Sequence, residues 1–380
     1  MNSLTTKEKI IKKVILFHYD IQNLILNFLK KLLFNNKKVL DSKKILIFRT
    51  GSIGDSVCAL PAIYSIRKNF PEVEIDILTN SGSENLISLK YLIDTSLVDN
   101  IFDYWDVKKK DVWKFLRLQK YDLFIQLPQS NAVLFHHIRD IFIAKTLGVK
   151  YAFGWQAVST RFFSTYQAYL IKFDNERDRL LKIIENNGLK SYGLIFPLGI
   201  QGEHKKEIEK ILKENSITDK EKNIALIVGA KRPQNRWQIE HFKQVAEYLL
   251  KAGFNIILIG GKDEYSLAEK IVTDKNVFNL CGKLKPLETA ELLKNCKLAI
   301  SNDTGPMHLS YAVGTPVIAI FSSRDYPDKW FPPQDGNNMV FRNNNIYCQA
   351  CFNEECNDNK CMKEINPFYI IKTFVNFIKK

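Results

Sequence analysis

The sequence predicts an α/β protein built from two doubly wound, Rossmann-like domains, preceded by an amphipathic helix. Three observations carry this. Short apolar runs alternate with helical patterns from residue 43 onward, and that alternation implies a parallel sheet covered on both faces. The alternation restarts after a less regular region near 155–200. The chain has 380 residues, 46% of them hydrophobic and 25% charged. That is enough for two cores and excludes a disordered chain, a collagen or a short disulfide scaffold.

The N-terminal segment, residues 1–40, stands apart. In the first 44 residues ten lysines face three acids, about half of the whole chain's net charge of +14. The most apolar stretch, Val14–Leu29, is interrupted by His18, Asp20, Gln22, Asn23 and Asn27, whereas a span needs about 20 mostly apolar residues. No clean apolar region with a small-residue cleavage site marks a secretory signal, so the chain is expected to stay in the cytoplasm. On a helical wheel Ile10, Ile11, Val14, Ile15, Phe17, Ile21, Leu24, Ile25, Phe28, Leu29, Leu32 and Leu33 share one half. Lysines and asparagines fill the other. A basic helix with Phe and Leu on its apolar face suits an anionic membrane interface; a helix packed on the protein's own core has the same pattern.

Lys44–Phe48 (KILIF) reads as the first strand, followed by a glycine-containing turn and a helix from about Asp55 to Asn69. Glu74–Thr79 and Tyr121–Leu127 are further strands. In the second array, strands are expected at 223–228, 255–259, 297–301 and 316–321, with helices at 238–251, 263–272, 287–295 and 305–313. Two such arrays predict a cleft, and ligands of these sheets sit beyond the carboxyl ends of the strands. The boundaries expected are 41–195 and 196–362, with a C-terminal helix over 363–380.

Four segments could carry chemistry. In Arg49–Ser56 (RTGSIGDS), Gly51 and Gly54 allow a tight strand-to-helix turn. The spacing is neither a dinucleotide fingerprint nor a P-loop. Asp55 there is either a general base or a helix cap. In Asn302–His308 (NDTGPMH), amides at Thr304 and Gly305 could hold a pyrophosphate at a helix start; His308 is a ligand or a structural histidine. Gly229–Trp237 (GAKRPQNRW) places Lys231, Arg232 and Arg236 on one strand-to-helix loop, which suits a phosphate or simply faces solvent. Glu264, in Gly260–Glu264, could accept from ribose hydroxyls or serve as a first-turn acid. Finally, Cys348, Cys351, Cys356 and Cys361 cluster in fourteen residues. This pattern suggests a structural zinc, or iron, held by thiolates; two disulfides are disfavoured in a reducing compartment. Half of the net charge lies on one terminal helix and no aromatic–basic platform is present, which argues against a nucleic-acid partner.

Phe48–Pro71 resembles the opening motif of the bacterial heptosyltransferases, glycosyltransferase family 9, and Ser301–Phe321 resembles their second signature. The Gly229–Trp237 and Gly260–Glu264 segments are similar to intermediate motifs. The resemblance covers about residues 43–370 and leaves the N-terminal helix outside. It implies a GT-B fold, with an N-terminal acceptor domain and a C-terminal nucleotide-sugar domain. It also implies inverting transfer of a heptose from an ADP-sugar to a lipopolysaccharide core, without a metal or other catalytic cofactor. It makes Asp55 the base, with Gly51, Ser52, Ile53 and Gly54 at the acceptor. It assigns Gly229, Lys231, Arg236, Glu264, Asp303, Thr304, Gly305 and His308 to the donor. The middle of the first domain matches no specificity motif. A different nucleotide sugar, a protein acceptor or a non-catalytic nucleotide- or lipid-binding relative therefore stays open.

Overall fold

The computed structural model of the chain describes residues 5–80, 87–103, 109–157, 170–217 and 219–379. They form two compact units, Met1–Gly199 and Ile200–Lys380.

Unit one opens with α1 (Thr6–Leu33), followed by β1 (Lys44–Phe48), α2 (Ile53–Asn69), β2 (Glu74–Thr79), β3 (Asn100–Asp103), α3 (Lys109–Leu118), β4 (Leu123–Gln126), α4 (Leu134–Thr146), β5 (Tyr151–Phe153) and α5 (Glu176–Glu185). The strands are parallel, in the order β3-β2-β1-β4-β5. Their near-continuous apolar sequences follow from burial on both faces. Ile45 and Ile47 of β1 pack with Leu60, Ile63 and Ile66 of α2 and Leu180 and Ile184 of α5. Leu46 and Phe48 point the other way, to Ile141 and Ala144 of α4 and Leu26 of α1.

α1 is capped by a reciprocal Thr5–Glu8 box. Its apolar positions divide between two faces. Ile15, Tyr19 and Leu26 are buried against the unit, and Asn23 docks the helix by exchanging two hydrogen bonds with the Ala157 backbone, at 2.9 and 2.8 Å. Phe17, Leu24, Phe28 and Leu32 point outward, 64–70% exposed. The single apolar half of the wheel is thus corrected to an inner packing face and an outer stripe. Among the described residues no helix is long and apolar enough to cross a membrane.

Unit two contains α6 (Gly202–Glu214), β6 (Asn223–Ile227), α7 (Ile239–Lys251), β7 (Asn255–Leu258), α8 (Tyr265–Glu269), β8 (Val277–Asn279), α9 (Pro286–Lys294), β9 (Leu298–Asn302), α10 (Gly305–Ala312), β10 (Val317–Phe321), β11 (Met339–Arg342), α11 (Lys360–Lys363) and α12 (Pro367–Ile378). Its parallel sheet runs β11-β10-β9-β6-β7-β8. Ile224 and Leu226 meet Phe242 and Leu249 of α7 and Ile370 and Phe374 of α12 in the core.

Two helices differ from expectation. The helix expected from Asp55 begins at Ile53, with Ser52 as its N-cap. The one expected over 263–272 is a 3₁₀ turn, Lys262–Glu264, followed by the single short α8. Ile271, Val272, Thr273 and Asp274 follow it, all weak helix formers. In each sheet the strand order reverses once, at β1/β4 and at β6/β9. Ligands of such sheets bind at that reversal, beyond the strand ends.

Candidate functional site

In unit one the loop after β1 lies at the reversal point. Gly51 has φ +139°, and a Cβ there would sit 2.4 Å from the Asp55 Cβ, so only glycine lets Asp55 fold back over the turn. Asp55 is the third residue of α2, not its cap. Its Oδ2 accepts from the Ser52 N–H at 3.0 Å and the Ser52 hydroxyl at 2.9 Å, a capping arrangement. The capping reading and the base reading are therefore compatible: Oδ2 is engaged, whereas Oδ1 lies 3.6 Å from Arg49 Nη2 on a side chain 20% exposed.

Arg49 is buried and gathers the strand ends of the sheet. Its Nη1 donates to the Leu127 and Pro128 carbonyls at 3.1 and 3.0 Å, and its Nη2 to the Asp55 carbonyl at 2.6 Å. Glu176 and Arg179 of α5 join it. Sequence reasoning missed both, because the contact spans 127 residues and nothing local marks it. His137 of α4 lies nearby, buried, with neither ring nitrogen hydrogen-bonded; burial, with the Arg179 charge, lowers its pKa to about 4.

In unit two the loops after β6, β7 and β9 carry the expected residues. Gly229 and Gly260 make room for Glu264: a Cβ on Gly229 would fall 1.9 Å from its carboxyl group, and one on Gly260 2.5 Å away. Glu264 Oε2 accepts the Gly261 N–H at 2.8 Å. Burial raises its pKa, and the Arg236 charge partly offsets this. Arg236 donates through Nε to the Ala230 carbonyl at 2.8 Å. Lys231 is exposed.

Thr304 is the N-cap of α10, with Gly305 and Pro306 opening the helix; first-turn amides have no intrahelical acceptor. His308 is buried, its Nδ1 2.8 Å from the Tyr311 hydroxyl and its ring edge-on to Trp330. Asp303 accepts from Asn235 Nδ2 at 3.2 Å. Burial and the neighbouring Asp325 raise its pKa to about 7, against the opposing charges of Arg232, Arg324 and Lys329. Asn302 ties the loops together, accepting from the Trp237 N–H at 2.9 Å and donating to the Val228 carbonyl at 2.7 Å. Arg324, Asp325 and Lys329 escaped sequence reasoning because they follow a strand with no glycine-rich signature.

The cysteine segment packs against this loop cluster. Among the described residues no group of three or more His, Cys, Asp or Glu is placed to hold an ion, so the structural zinc expected at Cys348, Cys351, Cys356 and Cys361 is not supported. The segment is organised around Arg324, which donates to the Asn353 and Phe352 carbonyls at 2.6 and 3.1 Å. Its thiols have other partners. Cys356 Sγ takes the Asn359 N–H at 3.3 Å, and Cys361 Sγ lies 3.8 Å from Asn359 Oδ1. Burial, and then the charges of the neighbouring thiols, raise the pKa values of Cys348 and Cys361. All seven cysteines are unbridged.

The model of glycosyltransferase family 9 (heptosyltransferase) matches residues 110–362. Lipooligosaccharide heptosyltransferase 2 of Campylobacter jejuni is 25% identical over 351 residues, covering 88% of this chain and 98% of that protein. Two solved structures share the fold. One is a family 9 glycosyltransferase of Veillonella parvula, with TM-score 0.69 and 20% identity over 89% of this chain and 98% of that one. The other is the ADP-heptose LPS heptosyltransferase II of E. coli, with TM-score 0.63 and 18% identity over 88% and 98%. The two doubly wound units are those of the GT-B class.

Proposed function

The chain belongs to glycosyltransferase family 9, the heptosyltransferases, and on that footing we propose that it transfers a heptose from an ADP-sugar to a lipopolysaccharide core with inversion at the anomeric carbon. The observation that carries the reading is Asp55, fixed at the reversal point of its sheet with Oδ1 held 3.6 Å from Arg49. An acceptor hydroxyl attacks the anomeric carbon poorly while it keeps its proton. Asp55 Oδ1 takes that proton as the new C–O bond forms and the bond to the diphosphate breaks, a role worth roughly 10²–10⁴ in rate. Gly51, Ser52, Ile53 and Gly54 line the acceptor side of the turn.

Unit two takes the donor. Glu264 accepts from the ribose hydroxyls. The Thr304 and Gly305 amides, with Lys231 and Arg236, stabilise the charge that grows on the departing ADP. His308 braces that turn through Tyr311, and Asp303 orients Asn235 beside it. The lipid-linked acceptor places the enzyme on the cytoplasmic face of the inner membrane, where the outer stripe of α1 and its lysines hold it peripherally.

Titration calorimetry with ADP, GDP, UDP and CMP tests the donor side: binding selective for ADP, weakened in Arg236→Ala, is expected. An assay with ADP-heptose and a truncated core acceptor tests the base. Asp55→Asn should keep its ADP affinity and lose about 10²-fold or more in kcat. A preference for GDP or UDP replaces the donor, and an unimpaired Asp55→Asn removes the base assignment.

A further inference from the structure

We propose that Glu176 is a positioning residue for Asp55, acting by holding Arg49 away from it. The inference rests on the role proposed for Asp55. Glu176 is fully buried at the first turn of α5. Arg179 already satisfies it, donating from Nε and Nη2 to Oε2 and Oε1 at 2.8 Å each. A structural ion pair would be complete there. The second guanidinium is extra: Arg49 Nη1 and Nη2 reach the same Oε1 at 3.4 and 3.5 Å. Arg49 stands six residues before Asp55 and touches both its carbonyl and its carboxylate side.

Two arginines thus face two carboxylates, and Arg49 is shared between them. Glu176 is wholly out of solvent while Asp55 is partly exposed, so the attraction of Glu176 is screened less. The Leu127 and Pro128 carbonyls hold Arg49 Nη1, and the Asp55 backbone carbonyl, not its carboxylate, holds Nη2 at 2.6 Å. The result is a 3.6 Å gap to Asp55 Oδ1, beyond a strong charge-assisted hydrogen bond of about 2.8 Å. That gap keeps the Oδ1 lone pair open for the acceptor's proton. Without the Glu176 charge, Asp55 is the one remaining anionic partner of Arg49 among the described residues. The guanidinium then closes on Oδ1 and occupies the lone pair that the reaction needs.

Glu176→Gln keeps the shape and removes the charge. Its expected signature is a fall in kcat of roughly 10- to 100-fold, the scale of a small misplacement of a reacting group, with ADP affinity and donor KM within about twofold of wild type. In an Asp55→Asn background the same substitution should cost nothing further, because residues acting as a unit are not additive. Arg49→Lys removes the guanidinium that Glu176 restrains, so in that background Glu176→Gln should cost nothing further. If Glu176→Gln does not fold, Glu176→Asp carries the cycle, because its shorter side chain keeps the charge and withdraws it from Arg49. Wild-type kcat in these Glu176 variants, or an equal loss with and without the Asp55 carboxylate, overturns the positioning role. An unimpaired Asp55→Asn instead overturns the base assignment on which it rests.

Discussion

At the residue scale, glycines set where the acids lie. A Cβ on Gly229 would overlap the Glu264 carboxyl group, the movable end of a flexible side chain. Gly229→Ala should therefore keep its fold and displace Glu264. If Glu264 holds the ribose, the loss matches one charge-assisted hydrogen bond, about 1.5–3 kcal/mol, or about tenfold or more in ADP affinity. Glu264→Gln should lose a similar factor, and the double variant no more than either. Calorimetric titration of the three proteins checks this; independent, multiplying losses would separate the glycine from the acid. The same logic shows why part of the site is readable from sequence. Gly51, Asp55, Gly229, Glu264 and Gly305 sit in turns whose glycines are visible signals. Glu176, Arg179 and Arg324 act across long stretches of chain through burial, which no local pattern encodes.

At the element scale, α1 does two jobs with one apolar repertoire. Ile15, Tyr19 and Leu26 anchor it to its unit, while Phe17, Leu24, Phe28 and Leu32 form the outer stripe, bordered by exposed Lys9, Lys13 and Lys31. α4 beside it also turns out Phe135 and Phe142, 71% and 51% exposed. Inserting such side chains into a bilayer interface and attracting anionic headgroups, at about 1 kcal/mol per lysine near the surface, are additive terms. Replacing Phe17, Leu24 and Phe28 together by Ser should abolish co-sedimentation with anionic vesicles and leave the melting temperature within a few degrees. High salt should weaken binding of the unaltered protein. Undiminished sedimentation would rule out the stripe as the contact. Elements also separate what the sequence reveals from what it hides. The interior strands β1, β2, β4, β6, β7, β9 and β10 were all legible as apolar runs, because burial on both faces demands them. The four missed strands, β3, β5, β8 and β11, are the four sheet edges. They are three or four residues long, and an edge needs less apolar sequence.

At the scale of the whole molecule, one shifted group in each unit titrates in the sense opposite to the other. His137 in unit one is buried and neutral, with its pKa lowered from the ordinary 6.5 to about 4 by burial, Arg179 and His136. The unfolded chain therefore binds more protons than the folded one between those values. The stabilisation is complete above pH 6.5 and is lost as pH falls through about 4, roughly 3 kcal/mol in all. Asp303 in unit two runs the other way. Its pKa is raised from 3.8 to about 7, so the folded unit holds the extra proton. Its contribution is complete below pH 3.8 and is lost as pH rises through about 7. Each unit has its own core, so two thermal transitions are expected. Acidifying from pH 7 to 5 should lower the transition of unit one and raise that of unit two, by about 2–4 °C per kcal/mol. His137→Asn should flatten the first response alone, and Asp303→Asn the second alone. Calorimetric scans across this range decide it. If both transitions move together in every variant, these two groups do not govern the acid response, and the exposed carboxylates common to both units do.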